Sequence, residues 1–93
     1  MLAIVNANYQ DDYKILLQFN DDRKGIVDLK DFILNGNIKP FKQLQDIEKF
    51  KKFQLDYTLK WGDDLDLAPE YLYFKAFEKD TSLKQIFHKW GYI

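Results

Sequence analysis

Apolar and polar residues alternate most cleanly between Tyr13 and Phe19. There Tyr13, Ile15, Leu17 and Phe19 are separated by Lys14, Leu16 and Gln18, the period of two that marks a half-buried strand. Leu2 to Ala7, rich in small and branched residues, reads as the strand before it, and Tyr9-Gln10-Asp11-Asp12 as the turn, because Asp side chains mimic backbone turn bonds. The polar loop Asn20-Asp21-Asp22-Arg23-Lys24-Gly25 leads into a third short strand, Gly25 to Leu29. A three-stranded antiparallel meander is the simplest arrangement of these segments.

Past Leu29 the period changes. Phe32, Ile33 and Leu34 before Asn35-Gly36-Asn37 predict a single helical turn closed by a left-handed residue. Pro40 begins another short turn carrying Phe41 and Leu44, and Asp46 is the N-cap of Ile47–Lys51, where Ile47 and Phe50 share a face. Alternation then returns, with Phe53, Leu55, Tyr57, Leu59 and Trp61 on one side and Gln54, Asp56, Thr58 and Lys60 on the other. This is one bent strand or two short strands with a tight corner near Asp56-Tyr57, and periodicity leaves both open. Gly62-Asp63-Asp64 breaks the run. Leu65 and Leu67 form a last short strand, and Pro69 with Glu70 opens a helical turn carrying Tyr71 and Leu72. Ser82 and Gln85 match a capping box, and Leu83, Ile86, Phe87 and Trp90 recur at helical spacing, so an amphipathic helix over residues 80–91 ends at Gly91. The expectation is an α+β fold, a small antiparallel sheet of about five short strands with short helices and a C-terminal amphipathic helix.

Length fits one domain over residues 1–93, because a second core would not fit in a chain this short. Aromatic residues make up 17% of it, enough to build a core without staples, and Trp61 and Tyr73 are expected to bracket that core. With Cys 0, disulfides and thiolate metal sites are excluded. The start Met1-Leu2-Ala3-Ile4-Val5-Asn6 lacks the features of a signal peptide, and no stretch approaches a membrane span, so a cytoplasmic location is expected. A net charge of −1 removes the electrostatic footprint of a general nucleic-acid binder.

Candidate chemistry is sparse. Asp63, Asp64, Asp66 and Glu70 offer oxygens for a hard cation or a basic partner, but their spacing is not that of a calcium loop, and turn and helix-start roles account for them. His88 is the only histidine and falls off the apolar face of the last helix, so no Cys–His nucleophile or transition-metal site can be assembled. Ser82 is the only serine, and the few glycines make no phosphate loop. Lys49-Phe50-Lys51-Lys52-Phe53 interleaves basic and aromatic groups as single-strand binders do, but Glu48, Gln54 and Asp56 surround it, and Phe50 and Phe53 suit the core. The stripe ending in Phe87 and Trp90 either docks on its own sheet or forms an interface.

The segments Gly25-x-Val27-Asp28-Leu29, Phe50 and Trp61-Gly62-x-x-x-Asp66-Leu67-x-Pro69-Glu70-x-Leu72-Tyr73 resemble the bacterial domain-of-unknown-function family 2442. The resemblance covers residues 2–74 and leaves the C-terminal helix as added material. It implies a small α+β domain, in some members fused to a helix-turn-helix module and encoded beside another small protein, hence proposals of toxin–antitoxin pairs. Here Asp56-Tyr57 leaves less room for a turn than the family commonly has, and the single helix after Tyr73 is too short for a helix-turn-helix.

The function expected is a small non-catalytic protein-binding module, one member of a toxin–antitoxin-like gene pair. It would have no cofactor or metal and would be a monomer or homodimer, with Asp63, Asp64, Asp66, Glu70, Phe87 and Trp90 as partner-binding residues. The alternative is a nucleic-acid-binding or regulatory protein acting through Lys49, Lys51 and Lys52.

Overall fold

Strands β1 (Ile4–Tyr9), β2 (Lys14–Phe19) and β3 (Lys24–Asp28) form an antiparallel meander in the order β1-β2-β3. The computed structural model describes residues 1–93. The central strand behaves as its alternation requires: Ile15, Leu17 and Phe19 are fully buried while Lys14, Leu16 and Gln18 line the other face. In β1 the register slips between Ile4 and Asn6. That bulge inserts one residue and resets the phase, so Ile4, Ala7 and Tyr9 all turn toward the core.

The expected single sheet of about five strands is not what the chain forms. A second antiparallel sheet of three strands stands beside the first, built from β4 (Gln54–Leu55), β5 (Leu59–Trp61) and β6 (Leu65–Asp66). The run from Phe53 to Trp61 is therefore two strands joined by a corner. Contacts from elsewhere in the chain set the corner. Thr58 is buried and its hydroxyl donates to the Leu67 carbonyl, while Leu55 and Tyr57 lie 39% and 46% exposed, so burial begins only at the corner, with Thr58 and Leu59. The Tyr57 carbonyl accepts the Ile4 N–H at 2.9 Å, which ties the corner to β1.

The middle section supplies α1 (Lys30–Asn35), a 3-10 turn (Lys39–Gln45) and α2 (Ile47–Phe50). Pro40 lies in the first positions of that turn, and Asp46 caps α2 by accepting the Glu48 N–H at 3.0 Å. The left-handed closure expected after Leu34 is absent, since Gly36 is extended at φ −76. Glycine is needed there for space, because a Cβ would collide with the Phe32 carbonyl oxygen.

Helix α3 (Pro69–Phe77) starts at the proline, as expected, but extends well beyond a single turn and packs on β3. Phe77 lies over Gly25, where a Cβ would come within 2.6 Å of its ring. Tyr73 meets Phe19 edge-on at 4.9 Å and donates its hydroxyl to Asp21 Oδ2 at 2.7 Å. The last helix, α4 (Lys84–Trp90), begins later than its sequence predicts. Asp80, not Ser82, is the capping residue, and it accepts both the N–H and the hydroxyl of Ser82 in a 3-10 turn (Thr81–Leu83). Gly91 ends α4 in the left-handed conformation. Phe87 is buried against Phe74, so α4 docks on its own chain. No helix is long and apolar enough to cross a membrane.

Candidate functional site

Trp61 sets the geometry of the region that the acidic residues occupy. Its indole N–H donates to the Phe50 carbonyl at 2.9 Å, and its ring stacks on Phe50 at 5.9 Å, which fixes the end of β5. Gly62 then adopts φ 72, a conformation that glycine takes without penalty, and the chain turns through Asp63 and Asp64 into β6. Along Leu65-Asp66-Leu67 the alternation buries both leucines and sends Asp66 into solvent. Glu70 follows in the first turn of α3, where a carboxylate complements the positive end of the helix.

Asp63, Asp64, Asp66 and Glu70 take part in none of the ion pairs of the chain, which join Arg23 to Asp21 and Asp80, Lys30 to Asp12, Lys51 to Glu48, and Lys75 to Glu78. They also do not converge as a group that would hold a metal ion. Two of the four border an apolar surface. Asp66 and Glu70 line a groove with Leu2, Tyr57, Leu67 and Pro69. Leu2 also lines a second groove with Asn20, Asp21, Tyr73, Ile86 and Trp90. Met1 and Leu2 line both grooves, one of which holds the two acidic residues and the other the end of α4.

Of the expected partner-binding residues, Asp66 and Glu70 line one of these grooves and Trp90 the other. Asp63 and Asp64 stay apart at the exposed turn tip, lining neither groove. Phe87 is corrected: it is 1% exposed and belongs to the core. Tyr57 and Ile86 are exposed contributors that the sequence pattern assigned to apolar faces. For Tyr57 the available signal was the polar Asp56 beside it at a point where the strand had to turn.

Three tyrosines, two on α3 and one just after α4, titrate above their ordinary value. Tyr73 is pushed up to about 12, chiefly by burial and then by its hydrogen bond to Asp21. Burial also raises Tyr92, with the Glu70 charge adding to it, and burial raises Tyr71 with help from Glu78.

The lysine cluster is split. Lys51 pairs with Glu48 at 3.3 Å and lies 5.5 Å from the Tyr9 ring centroid. Lys49 and Lys52 instead line a shallow depression with Leu44, Trp61 and Gly62. Phe50 is fully buried and Phe53 is half-buried against the core, so neither of the interleaved aromatics stands free to stack on a base. His88 lies exposed on α4.

No curated protein and no solved structure matches the chain. One family model does, and its match runs past the Trp61–Tyr73 segment through the whole of α3, including the Phe77 that Gly25 accommodates. Residues 4–78 match the family described as "Protein of unknown function (DUF2442)", and the chain belongs to that family.

Proposed function

We propose that this chain is a non-catalytic protein-binding module, one member of a toxin–antitoxin-like gene pair, which grips a basic, apolar-bearing segment of its partner. The observation that carries the reading is a pair of grooves with Leu2 in common: Asp66 and Glu70, without cation partners in the chain, border exposed Tyr57 in one, and exposed Ile86 lies beside Trp90 in the other. Exposed apolar groups rimmed by charge are the usual composition of a contact surface, and Tyr and Trp are favoured anchors. Uncompensated carboxylates at the rim select a basic partner and speed its approach. The non-catalytic part rests on the residue inventory: His88 is an exposed single histidine, and the single serine, Ser82, has its hydroxyl bound to Asp80.

Co-expression with the product of the adjacent gene, followed by affinity capture, tests this reading. The expected result is a complex that weakens as salt rises and is lost in the Asp66→Lys, Glu70→Gln variant, with its circular dichroism unchanged. A complex indifferent to those changes overturns the assignment of the surface. Salt-sensitive DNA or RNA binding that disappears on changing Lys49 and Lys52 to Glu, with no protein complex, overturns it in favour of a nucleic-acid function.

A further inference from the structure

We propose that the open edge of β3 is a self-association surface, where a second copy of this chain pairs antiparallel across a two-fold axis through Ile26. The backbone geometry assigns the edge. Phe19 N–H donates to the Arg23 carbonyl and Leu29 N–H to the Tyr13 carbonyl, with Leu17 opposite Gly25 and Ile15 opposite Val27. In an antiparallel ladder bonded and non-bonded pairs alternate, so Arg23, Gly25, Val27 and Leu29 are the residues that bond β2. The N–H and C=O groups of Lys24, Ile26 and Asp28 therefore point away from β2, toward solvent. The other edge of the meander differs, because at β1 the Ile4 N–H is already bonded to Tyr57. The strands at the edges of the second sheet, β4 and β6, have only two residues each and offer little to pair with.

The side chains of the same three residues make that edge self-complementary. Lys24, Ile26 and Asp28 are exposed on the face opposite the core, with Ile26 50% exposed, and neither Lys24 nor Asp28 joins an ion pair within the chain. Antiparallel pairing centred on Ile26 sets Ile26 against its own copy and Lys24 against the second copy's Asp28, twice by symmetry. Asp28 Oδ1 accepts the Lys30 N–H at 3.0 Å, which leaves Oδ2 for the lysine. Charges that merely guard an edge work best with one sign, because self-pairing then sets like against like. Here opposite signs flank the apolar centre, so the two-fold operation turns both cross-strand contacts into attractions. Helix α3 lies beneath the inner face through Phe77, and a groove runs between Ile26 and the end of α3.

Light scattering on a sizing column, run from micromolar to millimolar chain, reads the proposal directly. The expected result is a concentration-dependent species of twice the mass of one chain. Lys24→Glu and Asp28→Lys should each weaken it by about tenfold or more, because each sets like charges opposite at both symmetry-related positions. An equimolar mixture of these two variants should recover the dimer, since the mixed pair brings acid against base at both. Ile26→Pro removes a donor from the open side and none from the β2 ladder, so it should abolish the dimer while the circular dichroism spectrum is retained. A wild-type chain that stays monomeric throughout overturns the proposal. So does a dimer that survives Ile26→Pro, or a mixture of the charge variants that stays monomeric.

Discussion

In the first sheet, strands of five and six residues carry an extended ladder of matched positions, whereas the second is assembled from strands of two and three. A ladder that long sets its own register, because a slip by one residue would move Ile15, Leu17 and Phe19 from the core into solvent. The second sheet has no such safeguard. Its register is held by two polar anchors that act across the chain, the Thr58 hydroxyl on the Leu67 carbonyl and the Trp61 indole on the Phe50 carbonyl. Periodicity governs one sheet and specific hydrogen bonds with aromatic packing govern the other. Perturbation should therefore fall unequally on the two.

The largest effect is expected at Trp61. Trp61→Ala removes both the indole bond and the stack on Phe50, and should cost about 3–5 kcal/mol through the cavity left behind. Denaturant unfolding measures it, and an unchanged midpoint would show that the second sheet does not depend on this anchor. Next comes Thr58→Val, which keeps the shape but leaves the buried Leu67 carbonyl without its donor, at about 1–3 kcal/mol. A loss smaller than that caused by an exposed substitution such as Lys52→Ala would mean that the β4–β5 corner holds without the hydroxyl.

The smallest effect appears only in alkali and concerns the link between the first sheet and α3. Folding raises the Tyr73 hydroxyl from its ordinary 10.0 to about 12, so the folded chain binds that proton more tightly than the unfolded one. The stability it contributes is complete below pH 10 and is lost as pH climbs through 10 to 12. Melting temperature should fall across that window, and Tyr73→Phe should remove part of the fall, the rest belonging to Tyr71 and Tyr92. A slope identical in Tyr73→Phe would mean that the Tyr73 hydroxyl is neither buried nor bonded to Asp21 in solution.

Much of the candidate surface was illegible in the sequence, and Phe87, Trp90 and Tyr57 show why. Phe87 and Trp90 stand three residues apart on one stripe, yet only Phe87 reaches the fully buried interior, against Phe74, while Trp90 at the end of α4 borders a groove. Spacing along a helix says which residues share a face, and not how deeply each one sinks. Tyr57 lay in phase with an apolar alternation that a buried threonine interrupts. No local signal marks a threonine as buried until its acceptor, nine residues further on, is brought beside it.

What the chain determined by itself is the part carried by near neighbours. The β2 alternation, the start of α3 at Pro69, the Asp46 cap and the end of α4 at Gly91 each depend on a few adjacent residues, and each was legible for that reason. The absence of cysteine needs no structure at all. Tertiary structure alone decided that there are two sheets, that Asp66 and Glu70 line an apolar groove while Asp63 and Asp64 do not, and that Gly25 is required by Phe77. Each of those outcomes turns on a contact between groups far apart in the chain, formed only when the core closes. A pattern of period two or 3.6 records which side a residue faces, and what waits on that side is set by the rest of the fold.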